Sequence, residues 1–141
     1  MTFSVPQKVL FKHCDPAGIV FYPRYFEMIN DAVEAYFAEV LHLPFEELHK
    51  THGVPTVKIS NEFRAASRHG DLLTITVKPK RLGGSSLDMT VTATCKEETR
   101  FEAHLTLVYV TSAMRPVRWP EAARDILTAQ IKPALKEVSN G

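Results

Sequence analysis

An acid and an uncapped helix start lie within ten residues of each other, and together they offer acyl-transfer chemistry. Asp15-Pro16-Ala17-Gly18 carries Asp, Pro and Gly at the first, second and fourth positions of a type I turn. Pro23 stands where a helix should begin, its fixed φ suited to the first helical position. Tyr22 is then the expected N-cap, and a tyrosine side chain does not reach back to the free amides. Several N–H groups are left at the positive end of the helix dipole, open to water or to a ligand oxygen. A carbonyl under attack gains negative charge, and fixed donors at a helix N-terminus stabilise it without reorganising. A carboxylate beside them would attack or activate water. The bland alternative is that Asp15 only bonds its own backbone two residues on. Both readings are open on spacing alone.

Other residues carry weaker chemistry. Gly18 would let the loop backbone approach a ligand closely, or serve only the turn. His13 and Cys14 suggest a Cys–His nucleophile, yet neighbours on an extended chain point to opposite faces, and a thiol needs its base within hydrogen-bond reach. Cys14 reads instead as a small packed residue. Lys78, Lys80 and Arg81 precede Gly83-Gly84-Ser85-Ser86 at an expected strand end and turn, and Arg64, Arg68 and His69 fall in the connection before it. Taken alone these are scattered solvated charges. The serine-hydrolase elbow, the phosphate-binding glycine loop and the dinucleotide fingerprint are all missing from the sequence. The six histidines show no metal-ligand spacing.

The elements that must position these residues follow from periodicity. Phe3 to Lys12 reads as a first strand. From Pro23 to about Leu41, Phe26, Ile29, Val33, Tyr36, Phe37 and Val40 recur at three- and four-residue spacing. Tyr25, Met28, Ala32 and Ala35 widen the apolar face beyond that of a surface helix, so this helix is expected to be covered on most sides. Pro44 to His49 allows one short helical turn. Strand patterns follow at Thr56–Arg64, Leu72–Lys78, Leu87–Lys96 and Phe101–Val110, the middle two alternating apolar with polar as half-buried antiparallel strands do. Gly83-Gly84 and Glu97–Arg100 are the expected turns. Pro120 opens a C-terminal helix of about residues 120–137, with Pro133 expected to end or kink it.

Length and charge bound the rest. The 141 residues suffice for one domain, 1–141. With 45% apolar and 23% charged residues the chain reads as a globular protein. A net charge of +1 gives no global field for nucleic acid or an anionic membrane, so any anion site must be local. The first ten residues lack the pattern of a signal peptide, and two cysteines are too few for a disulfide framework. A cytoplasmic location is the expectation.

Asp15-Pro16-Ala17-Gly18-Ile19-Val20-Phe21-Tyr22-Pro23-Arg24-Tyr25 resembles the signature of the 4-hydroxybenzoyl-CoA thioesterase family. The resemblance implies an α+β hotdog fold: a long central helix wrapped by a five-stranded antiparallel sheet, here with a C-terminal helix added. It implies an acyl-CoA thioesterase with no cofactor and no metal, coenzyme A entering only as part of the substrate. Asp15 would be the catalytic carboxylate, with Gly18 and the backbone N–H of Tyr22 completing the site. Phe21, Tyr25, Phe26 and Asn30 would meet an aromatic or short-chain acyl group, and Arg81, Lys80 and Ser86 the coenzyme A phosphates. Asn30 departs from the family pattern, which has an aspartate there near the ring hydroxyl of the acyl group. Asn still hydrogen-bonds a hydroxyl but carries no negative charge. Family members pair into homodimers and often tetramers, and unpaired edge strands would favour this. The rivals are an acyl-carrier-protein thioesterase, a hotdog dehydratase and a non-catalytic acyl-CoA-binding or partner-binding module.

Overall fold

The computed structural model describes residues 2–140 in backbone and residues 2–132 in side chain. Its elements run β1 (Phe3–Lys8), α1 (Tyr22–Glu39), α2 (Phe45–Leu48), β2 (His52–Gly53), β3 (Thr56–Phe63), β4 (Leu72–Leu82), β5 (Ser86–Cys95), β6 (Glu98–Val108), β7 (Val110–Thr111) and α3 (Glu121–Asn140). Five strands form one antiparallel sheet in the order β1-β4-β5-β6-β3, and β2 pairs with β7 separately.

The alternating strands put one apolar row on the inner face. Leu73, Ile75 and Val77 of β4, Leu87, Met89, Val91 and Ala93 of β5, and Phe101, Ala103 and Leu107 of β6 are all buried. Against this face lies α1, burying Tyr25, Met28, Ile29, Ala32, Val33, Tyr36 and Phe37. The wide apolar stripe is thus matched by a curved sheet, as its breadth requires. Helix α3 docks as well. Ala123, Leu127 and Ile131 recur every four residues on its buried side, the Tyr36 hydroxyl donates to Gln130 Oε1 at 2.6 Å, and Arg124 Nη1 reaches the carbonyls of Gly83 and Gly84.

Several boundaries differ from the sequence expectation, each for a local reason. Strand β1 stops at Lys8, because the Leu10 N–H turns to donate to His13 Nδ1 at 2.8 Å and Phe11–His13 coil into a single 3-10 turn. Strand β4 runs on to Leu82, since a bulge between Pro79 and Arg81 absorbs the proline that cannot donate to the ladder. The β5–β6 turn is Lys96-Glu97, one residue before the expected stretch, with both residues in the left-handed region (φ 50° and 68°). Helix α3 continues past Pro133, which forfeits one helical hydrogen bond while the flanking turns carry the helix on. Side chains from 133 onward lie outside the described residues.

Candidate active site

The turn opened by Asp15 forms as its residues dictate. The Gly18 N–H donates to the Asp15 carbonyl at 2.9 Å, and Gly18 has φ +82°, a conformation that favours glycine. Asp15 Oδ1 accepts the Ala17 N–H at 2.9 Å. The bland role is therefore real, but it engages one oxygen; Oδ2 has no hydrogen-bond partner among the described residues. The loop then folds back on itself. Cys14 bridges Val20, the Asp15 N–H donates to the Ile19 carbonyl at 3.0 Å, and the Phe21 N–H donates to the His13 carbonyl at 2.9 Å. This closure sets His13 opposite Phe21, Cys14 opposite Val20 and Asp15 opposite Ile19, so the acid sits on the closed loop that leads into α1.

Phe21, not Tyr22, is the N-cap of α1, with extended φ −70° and ψ 124° and no side-chain cap. Its N–H is held by His13, so Tyr22 is the first residue free to take helical angles. Pro23 then occupies the second helical position, where it has no N–H to lose, and the Arg24 N–H bonds back to the Phe21 carbonyl at 2.9 Å. The Tyr22 N–H is left without a backbone acceptor among the described residues. The Tyr22 N–H is thus a donor without an acceptor at the positive end of the helix, reached from Asp15 through one short closed loop.

Two cavities flank this helix start. One, of about 600 Å3, is lined by Ile19, Val20, Tyr22, Tyr25, Phe63 and the Arg64–Ala66 backbone stretch. The other, of about 730 Å3, takes Phe26, Ile29, Asn30 and Val33 from α1 and Ile59, Leu105 and Leu107 from the sheet. Of the acyl-contact candidates, Tyr25 thus faces the first cavity and Phe26 and Asn30 the second. Phe21 is exposed and lines neither. Phe63, not singled out from sequence, stands between the two: its ring centroid lies 6.2 Å from Tyr22, 5.6 Å from Tyr25 and 6.3 Å from Phe26. Its only sequence signal was its place at the end of an apolar-alternating strand.

Arg81, Lys80 and Ser86 are elsewhere. Lys80 and Arg81 lie at the far end of β4, lining a cleft with Thr128, Ile131 and Lys132 of α3. The side of the molecule that carries the Asp15 loop meets β4 at its other end, near Leu72, and at roughly 3.3 Å per residue the strand separates the two by about 30 Å. Ser86 packs against Gly83 at the β4–β5 turn. Within one chain these three do not join Asp15.

A further residue missed by sequence reading is Arg100. It is buried, and its Nη1 bonds the Ala66 carbonyl at 3.1 Å, Ser67 Oγ at 3.1 Å and Asp71 Oδ2 at 2.7 Å. Nε lies 2.7 Å from Glu98 Oε1 but is too poorly aligned for a hydrogen bond. The Arg100 guanidinium, chiefly through that hydrogen bond, holds the Asp71 carboxyl below its ordinary range. The connection it clamps supports the loop: the Val20 N–H donates to the Ser67 carbonyl at 2.9 Å and Ile19 bridges Arg68. His13 and Cys14 form no nucleophile pair, because each turns to Leu10, His13 through Nδ1 and Cys14 through its thiol at 3.7 Å. Burial, then Lys12 and Arg24, lower the His13 pKa.

A family model described as the thioesterase-like superfamily matches residues 9–129. Over 77 residues the chain is 30% identical to the 4-hydroxybenzoyl-CoA thioesterase of Pseudomonas sp. (strain CBS-3), a match covering 52% of this chain and 55% of that protein. The chain thus spans about half the length of this curated relative. A gentisyl-coenzyme A thioesterase structure superposes with a TM-score of 0.82 at 25% identity, over 89% of this chain and 99% of the other. A 1,4-dihydroxy-2-naphthoyl-CoA thioesterase from Synechocystis superposes with a TM-score of 0.83 at 18% identity, over 91% and 96%. The second likeness is one of fold alone, the hotdog fold. No helix among the described residues is long and apolar enough to cross a membrane.

Proposed function

The chain belongs to the thioesterase-like superfamily, and from that premise we propose that it hydrolyses an acyl-CoA, with an aromatic or short acyl group, to the free acid and coenzyme A. The observation that carries the reading is the unpaired Tyr22 N–H at the end of the same closed loop that holds the turn-fixed Asp15. The thioester carbonyl accepts the Tyr22 N–H. The free oxygen of Asp15 either takes a proton from a water that attacks the carbonyl carbon, giving the acid directly as the C–S bond breaks to release a thiolate, or itself attacks that carbon. In the second case loss of the thiolate leaves a mixed anhydride on Asp15, which water then hydrolyses to the acid and the free carboxylate. A thiolate leaves readily, so the site needs no strong general acid. Gly18 keeps the approach open, since no side chain rises from the loop there.

The acyl group would enter the cavity of about 600 Å3 beneath Tyr22, which is within the usual range for small ligands. Tyr25 and Phe63 give it aromatic walls, which favours a planar acyl group. Asn30, one turn beyond Phe26 on α1, supplies an uncharged hydrogen-bonding group in the neighbouring cavity. The working assembly is a homodimer or higher homo-oligomer built along β3. That strand is an edge of the sheet and leaves Val57, Ile59 and Phe63 exposed at 60%, 40% and 48%. Arg81, Lys80 and Ser86 would reach a coenzyme A only from a neighbouring protomer.

Thiol release from benzoyl-type and short-chain acyl-CoAs, by wild type and Asp15→Asn, tests the reading. Wild type is expected to turn over, and the variant to lose a hundredfold or more, roughly 2.7 kcal/mol or more of transition-state stabilisation. Binding of acyl-CoA by both proteins with no thiol release would instead make the chain a binding module. A single turnover in 18O-water that leaves label in the Asp15 carboxylate identifies it as the nucleophile, because water reaches that carbon only through the mixed anhydride.

A further inference from the structure

The Tyr22 amide is placed by a side chain that takes no part in the proposed chemistry. His13 is only 6% exposed. Its Nδ1 lies 2.8 Å from the Leu10 nitrogen, and a backbone N–H can only donate, so Nδ1 accepts and carries no proton of its own. The reverse bond runs from the His13 N–H to the Leu10 carbonyl at 3.0 Å, and the Cys14 N–H donates to the Phe11 carbonyl at 3.1 Å. Together these close the 3-10 turn Phe11–His13 and fix the His13 peptide. The carbonyl of that peptide accepts the Phe21 N–H at 2.9 Å. Phe21 is the N-cap, so this bond fixes where α1 begins and which way the next amide, that of Tyr22, is turned. Ring, turn, carbonyl and N-cap are one series of hydrogen bonds.

That series needs one protonation state. A proton added to Nδ1 would face the Leu10 N–H, two donors with no acceptor between them, and the bond could not persist. The charged groups around the ring are Lys12 on its own turn and Arg24, Glu27 and Asp31 on α1. Of the two acids, Glu27 is already taken by Arg24 at 3.0 Å. Burial first, then Lys12 and Arg24, hold the ring pKa below its ordinary 6.5. The accepting form is therefore the major one above pH 6.5 and gives way in acid.

We propose that His13 is the positioning residue for the Tyr22 donor: its neutral ring sets that amide to meet the thioester oxygen, and a proton at Nδ1 withdraws it, switching hydrolysis off in acid. The proposal rests on the thioesterase reading above. His13 acts only through the Phe21 bond. Its effect falls on the transition state, where the carbonyl oxygen gains charge, more than on the bound thioester.

Three variants separate the acceptor from the ring. His13→Phe keeps a buried ring and loses the acceptor. His13→Asn restores an uncharged acceptor near the Nδ1 position, and His13→Gln carries its amide one methylene farther, out of reach of Leu10. Thermal melts identify which of them fold. Above pH 6.5, His13→Phe and His13→Gln are expected to lose roughly tenfold to a hundredfold in kcat with KM near wild type, and His13→Asn to regain most of it. Wild-type kcat should also fall as pH drops through the His13 titration. That fall should be missing in His13→Asn, whereas any loss owed to the Asp15 carboxylate is common to both. Unchanged kcat in folded His13→Phe overturns the proposal, as does His13→Asn behaving no better than His13→Phe or sharing the whole acid-side fall. If His13→Phe does not fold, the profiles of wild type and His13→Asn decide. Should wild type hydrolyse no thioester, the hydrolase reading fails and NMR carries the test. The Tyr22 amide is then expected to shift with the midpoint of the His13 ring, and to ignore that pH range in His13→Asn. A wild-type Tyr22 amide that does not follow the ring overturns the positioning role.

Discussion

A buried arginine decides whether the Asp15 loop has a floor. Arg100 is only 11% exposed at its side chain and spends three hydrogen bonds on one connection. Replacing it leaves Ser67 and the Ala66 carbonyl short of a donor, while Asp71, which is 30% exposed, can turn to water. Arg100→Met is therefore expected to cost about 2–3 kcal/mol of stability, measured by urea unfolding. The pH dependence has a definite sign. The Asp71 carboxyl sits below its ordinary value of 3.8 in the folded state. Between the two values the unfolded chain binds more protons, so this stabilisation is complete above about pH 4 and is lost as pH falls through the folded value. Unfolding of wild type should steepen below about pH 4, and that extra steepness should be missing in Asp71→Asn. Asp15 divides its carboxylate in a similar way: Oδ1 builds the turn, and Oδ2 has no partner among the described residues, free for the chemistry proposed above.

Among the elements, the start of α1 and the β5–β6 hairpin show how local backbone choices set the site. Moving the cap from Tyr22 to Phe21 changes which amide is free, because proline and the back-bonded Arg24 remove the two that follow. The hairpin makes the opposite point. Lys96 and Glu97 both sit in the left-handed region, where turns of this length favour Asn-Gly. The strain is tolerated because long strands pair on either side of it. Lys96→Asn with Glu97→Gly should relieve it and stabilise the protein by about 1–2 kcal/mol. A calorimetric Tm several degrees higher is the expected readout.

The whole molecule is a sheet that ends abruptly at β3. That strand lies exposed along nearly its full length, with apolar side chains that a lone chain would leave in water. It also carries Phe63, the aromatic residue between the two cavities, so whatever covers β3 shapes the acyl site too. Sedimentation velocity is expected to give a dimer or larger species for wild type. Val57→Lys, which puts a charge on the edge, should shift it toward monomer and lower thioester hydrolysis with it. A monomeric wild type would remove the proposed assembly.

The sequence by itself determined the elements and their faces. The three- and four-residue recurrence in α1 and the alternation in β4 and β5 are local patterns, and each reports burial without reference to the rest of the chain. The Asp15–Gly18 turn and the missing side-chain cap were legible for the same reason, since turn and cap chemistry act within four residues. Tertiary structure alone decided what those elements put together. Arg100 meets Asp71 and Ser67 from a different strand, Phe63 of β3 meets three α1 aromatics, and Lys80 and Arg81 prove distant from Asp15 although the resemblance puts all three at one ligand. Such pairs have no period and no fixed spacing, because sheet order brings them together or holds them apart. The cap shifted by one residue for a related reason: the hydrogen bond that fixes Phe21 comes from His13, across a loop whose closure no local preference encodes.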